Sequence, residues 1–158
     1  MSRLVRAGLL TAVTDGLFSS VLVVAAYGSS VTRLWQGVAS VLLGPAAFEG
    51  GARTVLIGLA MHVAVAFTWS AVFLVLVGRA TWLRRLVDSR YGVFKAAALY
   101  GPLVWTVMSL VVIPALVRRP PSINFRWWVQ FLGHMPFVGL PIVAGVGLPP
   151  RDDQTARG

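Results

Sequence analysis

Asp15, His62 and His134 each fall deep inside a long apolar run of this 158-residue chain, where an ionisable side chain must find a partner or a purpose. A carboxyl in such surroundings gives up its charge or meets a cation. Asp15 is therefore a candidate for carrying a proton or ion, or for donating a structural hydrogen bond as the neutral acid. Neutral imidazole ligates metals, so His62 and His134 are candidates for one shared metal ion or for the two faces of a haem. Hydrogen bonding to a neighbouring hydroxyl or carbonyl is the commoner role of an intramembrane histidine, and both readings stand at this point.

Helical spacing gathers companions around these three. Thr11, Asp15 and Ser19 recur every four residues and share one stripe, and Gln130 and His134 are likewise four apart. Beside the first stripe runs Gly8, Ala12, Gly16 and Ser20, and a counterpart follows as Gly58, His62, Ala66 and Ser70. Small side chains let helices approach closely in lipid, where tight packing drives association. These faces are expected to meet, with Asp15 and His62 differing in height by ~6 Å at helical rise, a gap two side chains can bridge.

The elements that must position these residues follow from run length. Hydrophobic residues make up 57% of the chain and charged ones only 12%, far below the roughly one quarter of soluble domains. Crossing ~30 Å of hydrocarbon takes about 20 helical residues. Four stretches qualify: Leu4 to Tyr27, Thr54 to Val77, Val93 to Leu116 and Trp127 to Gly147. The fold class is thus an all-α membrane protein of four transmembrane helices. Residues 1–150 form a single transmembrane four-helix domain and 151–158 a disordered cytoplasmic tail. Arg3 and Arg6 ahead of the first run resemble the start of a secretory signal, but Thr11, Thr14 and Asp15 interrupt its apolar centre, which favours a retained span.

Between the first two spans, Val31 to Phe48 is apolar but too short before Gly44 and Pro45 to cross a bilayer, so it predicts a short interfacial or re-entrant helix. The connection around Arg79 to Tyr91 is short and predicts antiparallel neighbours for the second and third spans. Pro136 and Pro141 are expected to kink the fourth span and free backbone carbonyls. Nine basic residues fall on the side of the termini and five on the other, which by the positive-inside rule places both termini in the cytoplasm.

The net charge of +9 comes from arginines that flank apolar runs. They read as headgroup anchors, and nucleic acid is not an expected partner. The absence of cysteine excludes disulfides, thiolate catalysis and cysteine-ligated iron–sulfur clusters. Enzymatic activity is not the favoured reading, because Ser29, Ser30 and Glu49 near the interface have no histidine at their level.

The segments TDG around Asp15, RLWQGVASVLLGPAAFEGG, GLAMH ending at His62, YGPLVW from Tyr100 and GHMPFVGLPI from Gly133 together resemble a family of small bacterial inner-membrane proteins of unknown function. The resemblance implies four transmembrane helices, a short extra helix between the first two, and a recurrent Asp15, His62 and His134 set. It carries no activity. Function at this level stays divided. One reading is a small transport or proton-coupled protein using the Asp15 and His62 site, with a homo-oligomer as the form that would enclose more space. A second is an accessory subunit binding another membrane protein through its small-residue faces. A third is a redox protein with haem or metal on His62 and His134, although no cofactor is demanded by the sequence.

Overall fold

A computed structural model describes residues 1–147, so the tail at 151–158 lies outside the described residues. In an apolar run every backbone N–H and C=O must be satisfied within the segment, which leaves the helix as the open-chain solution. Four helices are long and apolar enough to cross a membrane: α1 (Arg3–Ala25), α3 (Gly51–Arg79), α5 (Gly92–Val117) and α6 (Phe125–Gly147). Two shorter ones, α2 (Val31–Leu43) and α4 (Thr81–Asp88), join them. The chain is an all-α, multi-pass membrane protein. Helix starts are set by side chains that accept from orphan N–H groups. Ser2 caps α1 through Val5, Ser30 caps α2 through Arg33, and Asn124 caps α6 through Trp127.

The described spans start earlier than hydropathy alone indicates, α3 by three residues and α6 by two. The second connection also differs from expectation. It is the amphipathic helix α4, which buries Leu83 and Val87 and leaves Trp82, Arg84 and Arg85 exposed. α4 packs on α5 and on α3, while α3 and α5 themselves meet through side chains rather than backbone to backbone. Tyr100 spans the gap, its hydroxyl donating to the Trp69 carbonyl at 2.7 Å and its ring packing on Phe73.

Elsewhere helices touch closely. A Cβ at Gly101 would strike the His134 carbonyl, one at Gly139 the Ala97 carbonyl, and one at Gly145 would lie 2.6 Å from the Ala7 Cα. These contacts fasten α6 to α5 on one side and to α1 on the other. α6 is the most buried of the four spans, with Ile142, Val143 and Val146 fully inside. At its far end Arg6 donates from Nε and a terminal guanidinium nitrogen to the Gly145 carbonyl, at 2.9 and 2.7 Å.

α2 does not simply rest on the end of the bundle. The Trp35 carbonyl abuts Gly58, seven residues into α3 and so about 10 Å from its first residue at helical rise. α2 therefore lies along the flank of α3 and not across its end, and because the 29 residues of α3 exceed what a ~30 Å core requires, both the interfacial and the re-entrant readings accommodate it. The chain leaves α2 at Gly44, whose φ of 66° lies in the left-handed region that glycine alone enters freely. A 3₁₀ turn over Gly44–Phe48 then delivers it to α3.

Candidate functional site

α1, α3 and α6 bring the three ionisable residues to one level. By helical rise Asp15 stands about 15 Å from the α2 end of α1, His62 about 17 Å from that end of α3, and His134 about 14 Å from that end of α6. All three line one cavity of about 160 Å³, together with Thr11, Trp69 and Trp105. The cavity occupies the space that opens where α3 and α5 stand apart.

The small-residue stripe permits the first contact. Gly8 lies against the Phe67 ring, where a Cβ would come within 2.8 Å, and Gly16 faces His62 and Trp35. With no bulky side chain between α1 and α3, the His62 Nε2 reaches the Ala12 carbonyl at 3.0 Å. A carbonyl only accepts, so Nε2 carries the hydrogen and donates it. This leaves Nδ1 facing the Asp15 Oδ2 at 3.8 Å, an ion-pair separation too long for a direct hydrogen bond. The Ala12 carbonyl thereby fixes the ring tautomer. If the pair is neutral, its mobile proton is on the Asp15 carboxyl; if charged, it is on Nδ1. Either way a single proton is at issue between the two residues.

His134 is held differently. Its Nδ1 donates to the Gln130 backbone carbonyl at 2.7 Å, one helical turn earlier, so the neutral ring keeps Nε2 as a lone-pair acceptor. Its ring packs on Trp105 with centroids 4.8 Å apart, and Trp105 in turn packs on Trp127, whose indole N–H donates to Ser109. Thr11 is 2% exposed. Its Oγ1, the Asp15 Oδ1 and the Trp105 Nε1 are buried without a hydrogen-bond partner among the described residues.

The sequence-based set is therefore brought together in part. Asp15, His62, His134 and Thr11 share the cavity wall. Gln130 does not line it: its backbone carbonyl orients His134, while its side-chain Oε1 is buried elsewhere without a partner among the described residues. In the packing set, Gly8, Gly16 and Gly58 are buried contacts, Ala12 contributes its carbonyl, and Ser20 is half-buried.

Three residues were not singled out from the sequence. Trp35 stands beside the His62 ring at 5.1 Å, and Trp105 walls the His134 side. The Thr14 hydroxyl lies between two carbonyls, Leu10 of its own helix at 2.8 Å and Phe137 at 2.7 Å, and its one hydrogen can serve the second, which Pro141, four residues on, cannot. The last was foreshadowed, because Pro141 announces a free carbonyl four residues earlier.

Ligation by both histidines meets an obstacle in this arrangement. Both His62 nitrogens are committed, one to Ala12 and one toward Asp15, so a metal or haem iron would have to displace one of them. Among the described residues no three His, Cys, Asp or Glu stand together as a metal-binding group. A comparison with protein families, curated proteins and solved structures finds no match to this chain.

Proposed function

We propose that this chain is a proton-coupled protein of the bacterial inner membrane, with both termini cytoplasmic, in which Asp15 and His62 bind one exchangeable proton at mid-membrane depth. The observation that carries this reading is the fixed tautomer of His62. Its Nε2–H is spent on the Ala12 carbonyl, so Nδ1 is left to exchange a proton with Asp15. His134, with Nε2 as acceptor on the same cavity wall, is the next station for that proton. A purely structural hydrogen bond would not need three ionisable groups at one depth, since each adds a desolvation cost in lipid. The resemblance to small bacterial inner-membrane proteins and the excess of basic residues at the terminal side support the assigned membrane and orientation.

The test is proton movement in proteoliposomes holding a pH-sensitive dye, driven by an imposed potential. Wild-type protein is expected to admit protons faster than empty vesicles, and Asp15→Asn, whose carboxamide keeps the carboxyl's shape, to return the rate to the background. Equal rates for wild type and Asp15→Asn, or no flux above empty vesicles, would overturn the reading.

A further inference from the structure

The cavity is not closed off from the hydrocarbon. Val38, Val65, Met108 and Ile113 line it and also line a groove of about 800 Å³ between α2, α3 and the last turns of α5. That groove is apolar almost throughout, with Arg33 and Ser40 its polar members. It runs on, through Val41 and Leu116, to a second hollow edged by Arg119. The four shared residues form a neck joining the lipid-exposed flank of the bundle to the Asp15, His62 and His134 centre.

From this continuity we infer that the protein binds a membrane-dissolved quinone or quinol, its ring in the cavity between the two imidazoles' walls and its hydrocarbon tail in the groove. The inference rests on the proton-coupled reading and supplies its ligand. Charge selects the head. The cavity is lined by a carboxyl and two histidines and by no arginine or lysine, so a fixed anion would be repelled where a neutral ring is accepted. Both arginines of the path lie on the groove and its outer hollow, away from the cavity.

Shape and hydrogen bonding agree. Trp69 and Trp105 offer flat apolar walls, and about 160 Å³ is room for one six-membered ring, since an apolar cavity of ~150 Å³ takes benzene. The His134 Nε2 can accept a hydrogen bond from a quinol hydroxyl, and the proton held by Asp15 and His62 can form a hydrogen bond to a quinone oxygen without leaving the pair. Such a ligand lives in the bilayer, which explains a protonatable centre reached from lipid through an apolar neck.

The experiment is saturable binding of tritiated decyl-ubiquinone, and of its quinol, to the full chain in phosphatidylcholine nanodiscs. Wild type is expected to bind saturably. Ile113→Trp, which fills the neck, and the milder Val65→Phe should each weaken binding by roughly tenfold. Leu56→Trp, on the exposed face of α3, should leave it unchanged. Photolabelling of wild type with an azidoquinone should mark segments containing Val65 and Met108. Absence of saturable binding, or equal binding by wild type and both neck variants, would overturn the inference. So would saturable oleate binding lost in Arg33→Ala without any quinone binding, since it would make the groove an anionic-lipid site. If quinone fails to bind while proton flux still depends on Asp15, the ligand assignment falls and the proton-coupled reading stands.

Discussion

The seam between α5 and α6 and the gap between α3 and α5 solve opposite problems with the same helix. Along the seam, Gly101 and Gly139 bring backbone against backbone, and the carbonyl of His134 is itself one of the contacts. Across the gap, separation is kept by long side chains, with one hydrogen bond from Tyr100 to Trp69 as the strut. The first arrangement holds a histidine where it is, and the second leaves room in front of it. A bundle that was tight everywhere would have no cavity, and one that was loose everywhere could not fix two imidazoles at one depth.

Substitutions can break this contrast in a definite order. Gly101→Leu should do the most damage, because its Cβ meets the His134 backbone and no rotamer relieves the clash. The cost should exceed the ~1–3 kcal/mol of ordinary overpacking, seen as loss of monodisperse protein in detergent chromatography. Wild-type yield and melting temperature would show that the seam does not position His134. Thr14→Val comes next. It leaves the Phe137 carbonyl without its hydroxyl donor, for about 1–2 kcal/mol by thermal melting, and an unchanged melt would mean that the hydroxyl serves the Leu10 carbonyl instead.

Effects in the gap should be smaller. Tyr100→Phe removes one interhelical hydrogen bond, worth about 0.6 kcal/mol on average in membrane bundles, while keeping the ring on Phe73. A loss comparable to that of Gly101→Leu would make the strut, not the seam, the main fastening. The smallest effect belongs to Gly16→Ala, whose Cβ would sit 3.4 Å from the His62 Nε2, in ordinary contact. A change within about 0.5 kcal/mol is expected. Gly16→Leu at the same position should cost roughly 1–3 kcal/mol by pushing on His62 and Trp35.

Much of the architecture is legible in the sequence. The bilayer's thickness turns run length into span number, and the cost of burying charge singles out Asp15, His62 and His134 wherever they point. The pairing of Asp15 with His62 was legible too, since small-residue stripes predict which faces meet. What could not be read was direction. Trp35 and Trp105 look in sequence like any interfacial indole, and only the placement of α2 and α5 turns them to the two histidines. Gln130 shares a helical face with His134 yet serves through its carbonyl, a role any residue type could fill. The helix α4 was hidden because its two arginines, Arg84 and Arg85, read as a loop outside the membrane.

Two helices depart from α geometry near the cavity. In α5 the Ile113 N–H reaches back five residues to the Met108 carbonyl, and in α6 the Leu140 N–H does the same to Met135, directly after His134. Each wide turn accommodates about one more residue than an α turn, which advances the phase of everything beyond it by roughly 100°. In α6 this acts as a vernier. It lets His134 on one side of the turn and Ile142, Val143 and Val146 on the other face inward together. Deleting a single residue from 135–139 would leave composition, length and hydropathy almost untouched. The core valines would keep their seats, and the histidine would be the part that swings toward lipid.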